Sequence, residues 1–415
     1  MPFDPTLYAL ALILAFVLLN ALCWAIFRRW PSLLLSENER LGLDYLSRFE
    51  GELKPYIPEW FDIKAEEWPD FCNEYRRLAI GVNVYEPFVE FRHPPFQGRF
   101  LNSHPAGFRH VRNQGPWPPS AQFYNIFFFG GSTALNVGPD WTSIPSFLQA
   151  ILNNRRGIDK PIRVYNFGRG AWFSTQERIL FQQMLLANVV PDMVFFLDGV
   201  NDCYFFNGLP ATSGVFWQAL NAHNAMNDGK TLNRLIAKPE WQKLRDFLAS
   251  LPLFRAIEQI GARLAKKSAG AGQYLYRPIA VDPNEMVPAV ARWLGNKRQI
   301  EALCRDWGVQ AIFVWQPTPA YKYDLQYHVA LNKHYGFGGH ERSGEGYKLM
   351  AQLRQTQNLG DNFIWLADIQ ENEKRPLYLD NMHYTTEFNR IIAQHIADAV
   401  FARGFLAARS AQPVA

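Results

Sequence analysis

Cysteine is scarce in this chain: four residues among 415, Cys23, Cys72, Cys203 and Cys304. None form a C-x-x-C pair or a Cys/His cluster, so neither a zinc site nor a disulfide framework is expected. An excess of one charge is also lacking. Lys and Arg number 42 against 38 Asp and Glu, a formal balance of +4. With no basic block or Arg/Lys stripe, nucleic acid is not an expected partner. Internal repeats and low-complexity tracts do not occur. No Gly-Lys-Ser/Thr follows Gly130-Gly131, which sets aside a nucleotide-phosphate loop. Apolar residues are plentiful instead, at 48%, with 15% aromatic. That supports a large core, and the length fits one large α/β domain with additions.

Near the N-terminus, Leu7–Phe27 (LYALALILAFVLLNALCWAIF) is apolar except for Asn20 and carries no charge. At 1.5 Å per residue a helix of this length extends about 30 Å, the thickness of a bilayer's hydrocarbon core. Trp24, Trp30 and Arg28-Arg29 mark an interface. No Lys or Arg precedes the run, no A-x-A site follows it, and Asn20-Ala21-Leu22 is a poor lipoprotein site before Cys23. Residues 1–30 therefore read as an uncleaved single-pass anchor, with the bilayer as partner through residues 7–27. Arg28-Arg29 after the span favours a cytoplasmic body by the positive-inside rule.

Residues 31–120 are rich in Pro, Trp and charge without sustained periodicity, as in KPYIPEWFDIKAEEWPDF. Irregular structure packed on a larger body is expected there, since so many aromatics argue against disorder. From residue 121 to about 405 the pattern changes. Five apolar strands, IFFFG (Ile126–Gly130), Ile162–Gly168, Met193–Gly199, Val309–Pro317 and Phe363–Ile369, alternate with helical segments. One of these helices opens at Ser174 with a Ser-x-x-Glu capping-box pattern. The alternation predicts a three-layer α/β fold around a five-stranded parallel sheet. About 100 residues, 205–305, separate the third and fourth strands. Within them Leu232–Leu264 reads as helices and Ser268–Val281 as a loop. Such an insertion is either a lid or substrate wall or a plain helical excursion. Residues 406–415 form a short tail.

In parallel sheets, function collects at the C-terminal ends of the strands. Strand one ends in Gly130-Gly131-Ser132, where Ser132 either caps the next helix or is a hydroxyl held out at the sheet edge. Strand two runs into Asn166–Ala171, strand three into Asp198–Asp202, and strand five is followed by Asp380-Asn381-Met382-His383. Singly, each is an ordinary turn. Together they supply what acyl transfer requires. Ser132 is the nucleophile, His383 its base and Asp380 the residue that fixes the imidazole tautomer. The amide of Asn201 and the backbone N–H groups of Ser132 and the Gly170-Ala171 turn are candidate oxyanion donors.

In these blocks the sequence resembles the SGNH (GDSL-type) hydrolases, specifically their membrane-anchored bacterial branch, over roughly residues 125–405. GGST (Gly130–Thr133) resembles the nucleophile block, with Gly131 where Gly-Asp-Ser has Asp. NFGRGAWFSTQE resembles the second block, its usual oxyanion glycine falling on Ala171. GVND (Gly199–Asp202) and DNMH (Asp380–His383) match the third and fourth. The resemblance implies a flavodoxin-like sheet of order 2-1-3-4-5 and a Ser/His/Asp ester hydrolase without a cofactor or metal. It leaves the substrate as an acylated small molecule, carbohydrate or lipid, with hydrolysis and acyl transfer both open. Anchored members often act on envelope or exported polysaccharide, which would place the body outside the cytoplasmic membrane, against the arginine count. Trp141, Trp172 and Tyr204 are either sugar-stacking or core aromatics. A catalytically inactive membrane scaffold is the alternative from another class.

Overall fold

The computed structural model describes residues 5–29, 53–79, 83–155, 158–210, 251–254, 280–329 and 337–406, with a few single positions besides. The chain divides into two compact units, residues 1–44 with 213–275 and residues 45–212 with 276–415.

In the first unit, Pro5–Arg29 is one continuous helix of 25 residues. Leu14, Val17, Leu18, Leu22 and Trp24 on it are each more than half exposed. Asn20, the polar exception in the run, is satisfied on both sides. Its Nδ2 donates to the Phe16 carbonyl at 2.9 Å, and its Oδ1 accepts the Leu253 N–H at 3.1 Å. Beside it the Phe254 ring meets Phe16 edge-on at 6.4 Å. Part of the insertion thus packs on the N-terminal helix. Among the residues whose side chains are described, no helix is long and apolar enough to cross a membrane. For this helix those residues are 14–26, 28 and 29, so the anchor over Leu7–Phe27 rests on the sequence. Most of the expected helical stretch 232–264 and loop 268–281, and tail residues 407–415, lie outside the described residues.

In the second unit the helices Ile57–Phe61 and Trp68–Ala79 precede two small antiparallel pairs. Strands β1 (Val84–Glu86) and β2 (Glu90–Arg92) form a hairpin, and β3 (Phe96–Gln97) pairs with β4 (Asn102–Ser103). Five parallel strands follow: β5 (Tyr124–Gly130), β6 (Ile162–Asn166), β7 (Met193–Asp198), β8 (Gln310–Trp315) and β9 (Phe363–Trp365). Their spatial order is β6-β5-β7-β8-β9, the 2-1-3-4-5 arrangement that the family resemblance implies. The parallel register pairs Phe128 with Asn166, Gly130 with Leu197 and Asp198 with Trp315. The ends of these strands therefore lie side by side.

Both faces of the sheet are covered, so the strands are apolar throughout rather than alternating. Phe127, Phe129, Val194, Phe196, Phe313 and Trp315 pack on one side, under the helices Ser174–Leu186, Met286–Trp307 and Glu341–Thr356. Ile126, Phe128, Phe195, Leu197, Ile312 and Val314 pack on the other, under Ile144–Arg155 and Thr386–Ala402. Three layers result. The incoming chain runs beside the end of β6, where the Arg109 N–H donates to the Asn166 carbonyl at 2.8 Å. Residues 46–101 add a third apolar cluster of Trp60, Phe61, Trp68, Phe71 and Phe100 that reaches Val137 and Leu379 of the body.

Two expectations need correction. The insertion is shorter than 205–305, because only residues 213–275 separate from the body. Met286–Trp307 carries buried Met286, Ala289, Val290, Trp293, Ile300 and Cys304 at helical spacing and lies on the sheet. It is the crossover helix between β7 and β8. Nor does Ser174 cap its helix: Phe173 holds that position, and the Gln176 side chain accepts the Phe173 N–H at 3.4 Å. Ser174 and Glu177 are buried and face inward.

Candidate active site

Ser132 is the first residue of a four-residue helix, Ser132–Leu135, whose N-cap is Gly131 and which has no side-chain cap. The capping reading of Ser132 therefore fails. Its N–H, at the first helical position, has no intrahelical acceptor. Gly131 has φ −78° and ψ −154°, a conformation open to any residue, so glycine is needed there for space rather than for backbone freedom. A Cβ at Gly131 would lie 2.3 Å from Asn201 Nδ2 and 3.1 Å from the Trp172 carbonyl oxygen. This crowding brings the nucleophile turn and the Asn201 turn together.

Buried polar groups hold the loop that follows. Arg109 donates through Nε to Asp140 at 2.8 Å, through Nη1 to the Asn136 carbonyl at 2.6 Å and through Nη2 to the Gly138 carbonyl at 2.7 Å. Burial pushes the Asp140 carboxyl up, against the pull of Arg109. Asn166 joins the first two blocks by donating to the Ala134 carbonyl at 2.8 Å and accepting the Gly168 N–H at 3.0 Å.

The expected base and its expected orienter, His383 and Asp380, share one turn. Asp380, 3% exposed, accepts the N–H groups of Met382 at 2.9 Å and His383 at 2.7 Å on Oδ1. Its Oδ2 lies 2.6 Å from His383 Nδ1. That contact assigns the proton to Nδ1 and makes Nε2 the basic nitrogen. Asp380 is not a helix cap; Thr385 caps the last helix through its hydroxyl. Among the described residues, the polar contact of Ser132 Oγ is Met382 Sδ at 3.8 Å, not an imidazole nitrogen. Met382 is the residue before His383, so the two turns meet.

One side chain ties them. Gln316, at the end of β8 and 2% exposed, accepts on Oε1 from the Thr133 hydroxyl at 2.6 Å and the Tyr384 hydroxyl at 2.9 Å. Thr133 follows Ser132 and Tyr384 follows His383.

The expected oxyanion donors fall on two adjoining turns. Asn201 is the second residue of the short helix Val200–Tyr204 and is 8% exposed. One N–H of its amide goes to the Trp172 carbonyl at 2.7 Å. In the second block the Arg169 N–H donates to the Gly130 carbonyl at 3.0 Å, and the Trp172 N–H closes the turn on the Arg169 carbonyl at 3.3 Å. Gly170 and Ala171 lie between them, half-buried. Ala171 has φ 61°, the left-handed region that glycine favours, so an alanine stands in glycine geometry at the position where the resemblance expects a glycine.

Of the two aromatic candidates in these turns, Trp172 is 1% exposed with the Arg169 guanidinium over its ring at 4.3 Å. It offers no face for a sugar, because the core and a cation occupy it. Tyr204 is half-buried and stacks on His340 at 4.4 Å. Trp141 donates to Asp62 at 2.9 Å and packs near Phe100.

Several residues around the site escaped the sequence reading. His340 lies near Asp380 and His383, and burial holds its imidazole down at about 4, so it is neutral at physiological pH. His340 Nδ1 lies 3.2 Å from the Ser343 hydroxyl, which donates to the Val200 carbonyl at 3.0 Å. Asn381 donates to the Phe337 carbonyl at 3.0 Å. The segment Phe337–Ser343 thus bridges the Asn201 and His383 turns. Its only sequence signal was Gly338-Gly339-His340 before a helix. Beneath Asn201 lie three buried carboxyls. Asp202 accepts the Ser174 hydroxyl at 2.5 Å, and Asp198 accepts Trp293 Nε1 at 2.9 Å. Burial raises Glu177 well above the ordinary range, and the neighbouring Asp198 and Asp202 add to that.

No family model matches the chain, and no curated protein matches it. Among solved structures it is similar to a lipase/acylhydrolase from Enterococcus faecalis, at 12% identity over 70% of this chain and 100% of that one, with a TM-score of 0.32. It is also similar to a catalytic mutant of an acetylxylan esterase from Geobacillus stearothermophilus, at 12% identity, 67% and 94% coverage and a TM-score of 0.34. A GDSL-like lipase from Bacteroides thetaiotaomicron is similar at 10% identity, 69% and 92% coverage and a TM-score of 0.31. Likenesses at these scores carry no argument. The sheet order and the geometry of the four turns stand on their own.

Proposed function

We propose that the chain is a serine ester hydrolase of SGNH type, with Ser132 as nucleophile, His383 as base and Asp380 as its orienter. The observation that carries this reading is the 2.6 Å contact of His383 Nδ1 with Asp380, on the turn whose Met382 touches the Ser132 hydroxyl. In the reaction, His383 Nε2 takes the Ser132 proton as Oγ attacks the acyl carbon. The oxyanion accepts from Asn201 and from backbone N–H groups of Ser132 and the Gly170-Ala171 turn. The alcohol leaves with the proton from His383, and water then releases the acid by the same steps reversed. Proton transfer requires Oγ to turn from Met382 to the imidazole, a tightening that belongs to the substrate complex.

The Leu7–Phe27 run supports an anchor in the cytoplasmic membrane, and the family resemblance favours an extracytoplasmic body. An O-acyl group on a carbohydrate or envelope polymer is the substrate class that fits that location, with half-buried Tyr204 as the aromatic contact. The test is a serine-directed fluorophosphonate with p-nitrophenyl acetate hydrolysis. Ser132→Ala is expected to lose both labelling and hydrolysis, and His383→Ala to lose hydrolysis by several orders of magnitude. A folded wild-type chain that neither labels at Ser132 nor cleaves any short acyl ester would establish the inactive-scaffold reading instead.

A further inference from the structure

Arg169 is a buried cation at an unusual place. It precedes the Gly170-Ala171 turn, its side chain is fully buried, and its salt-bridge partner is Glu86 of β1. Nη1 also donates to the Phe91 carbonyl of β2 at 2.6 Å. Nε and Nη2 have no partner among the described residues. The guanidinium lies over the Trp172 ring at 4.3 Å, and the Trp172 carbonyl accepts the Asn201 amide. On the other side, the Arg169 N–H is bonded to the Gly130 carbonyl. One residue therefore touches the backbone donors and, through Trp172, the amide donor.

The hairpin that supplies Glu86 is itself seated on the second block. Gln176 donates to Glu90 at 2.9 Å, Val89 is fully buried in the core, and Phe91 meets Trp172 edge-on at 6.4 Å. Its tip holds two non-glycine residues in the left-handed region, Phe88 at φ 68° and Glu90 at φ 77°. Such conformations are strained and persist only where surrounding contacts enforce them.

We propose that Arg169, held by Glu86, is a positioning residue for the oxyanion site, coupling its two halves to the hairpin Val84–Arg92. This rests on the hydrolase reading above. Arg169 does not touch the reacting atoms. Its fork fixes the turn that carries the Gly170 and Ala171 N–H groups, and its face fixes the Trp172 peptide that aims Asn201. Burial works against the Arg169 charge and Glu86 works for it, so losing the carboxylate leaves a buried cation unpaired. The hairpin is then part of the catalytic architecture although it lies outside all four family blocks.

The test compares Glu86→Gln and Arg169→Met with wild type, on p-nitrophenyl acetate and on the matching thionoester. Rates are normalised to the serine titrated by a fluorophosphonate. A sulfur anion is a poorer acceptor than an oxyanion, so the ester-to-thionoester ratio reports the oxyanion site. Arg169→Met is expected to lower kcat on the order of 10²-fold, as for one lost oxyanion donor. Glu86→Gln should lower it several-fold. In both, KM changes little and the ester-to-thionoester ratio falls with kcat, while Arg169→Lys recovers part of the loss. A purely structural role would reduce titratable serine and leave the ratio of the remaining enzyme unchanged, which overturns the proposal. If Arg169→Met does not fold, Glu86→Gln decides alone: an unchanged ratio overturns it. Wild type that shows no ester hydrolysis at all removes the hydrolase reading rather than this coupling.

Discussion

Replacing Gly131 with alanine tests how the nucleophile turn and the Asn201 turn depend on each other. The backbone at φ −78° and ψ −154° accepts alanine, so strain does not enter. The added methyl would lie 2.3 Å from Asn201 Nδ2, where ordinary contact begins at about 3.5 Å. The amide must therefore retreat by about 1 Å, and its 2.7 Å bond to the Trp172 carbonyl lengthens or breaks. A misplacement of that size costs on the order of 10²-fold in rate, close to the 10²–10³-fold, about 2.7–4 kcal/mol, of removing an oxyanion donor. Gly131→Ala should thus lower kcat for p-nitrophenyl acetate about 10²-fold with little change in KM. Asn201→Ala alone should lower it by about 10²–10³. The double variant decides the mechanism, because removing the amide removes the closest contact and leaves only the Trp172 carbonyl oxygen, at 3.1 Å. It should be no slower than Asn201→Ala, an interaction energy of about 3 kcal/mol in the cycle. Additive losses would refute the reasoning, since the methyl would then be acting somewhere other than on Asn201.

Ala171→Gly should stabilise the fold by about 0.5–1 kcal/mol in urea unfolding, because left-handed backbone costs an L-residue roughly 1–2 kcal/mol and glycine's extra unfolded freedom offsets part of the relief; a destabilised variant would count against the turn geometry. Glu177 and Asp198 are both raised well above the ordinary carboxylate range, first by burial, so the folded state holds protons that the unfolded state releases, and their contribution falls as pH rises from that range through the folded values. Glu177→Gln should therefore gain on wild type as pH rises, read as the Tm difference between pH 5 and pH 9, and a constant difference would contradict the buried pair. A chain beginning near Trp30 should leave the membrane pellet and cleave the small ester at the wild-type rate per titrated serine; retention in the pellet would mean a second membrane contact, and loss of activity in a folded chain would end the tether reading.

What the sequence made legible was whatever has a local signature. The runs Ile126–Gly130 and Met193–Gly199 are too apolar to face water on either side, so they announced central parallel strands at nearly their observed bounds. The strand-end turns were legible for the same reason, as glycines and Asn-Asp pairs break an apolar run abruptly. Asp380 and His383 lie three residues apart, and their contact follows from a single turn. Boundaries were read less well where an amphipathic helix continued beyond a composition change. The insertion was expected to run to about residue 305, whereas the helix Met286–Trp307, with Trp293, Ile300 and Cys304 on its buried stripe, belongs to the body.

Illegible were the residues whose partners lie far off in sequence. Gln316 looks like any polar residue after a strand, and nothing near it shows that Thr133, 183 positions away, donates to it. Arg169 is equally silent, because Glu86 is 83 residues earlier and belongs to a stretch whose Pro and Trp content hid a hairpin. The Ser174 hydroxyl was read as a cap by proximity, whereas the fold sends it to Asp202 on the next crossover. In each case a buried polar atom must find a partner or carry a penalty of about 1–3 kcal/mol, but which partner it finds is settled by the order of strands. Once β6 and β7 flank β5, the second and third blocks have no room except against the nucleophile turn. The tying residues then follow from that crowding, and the chemistry-bearing blocks alone could not have named them.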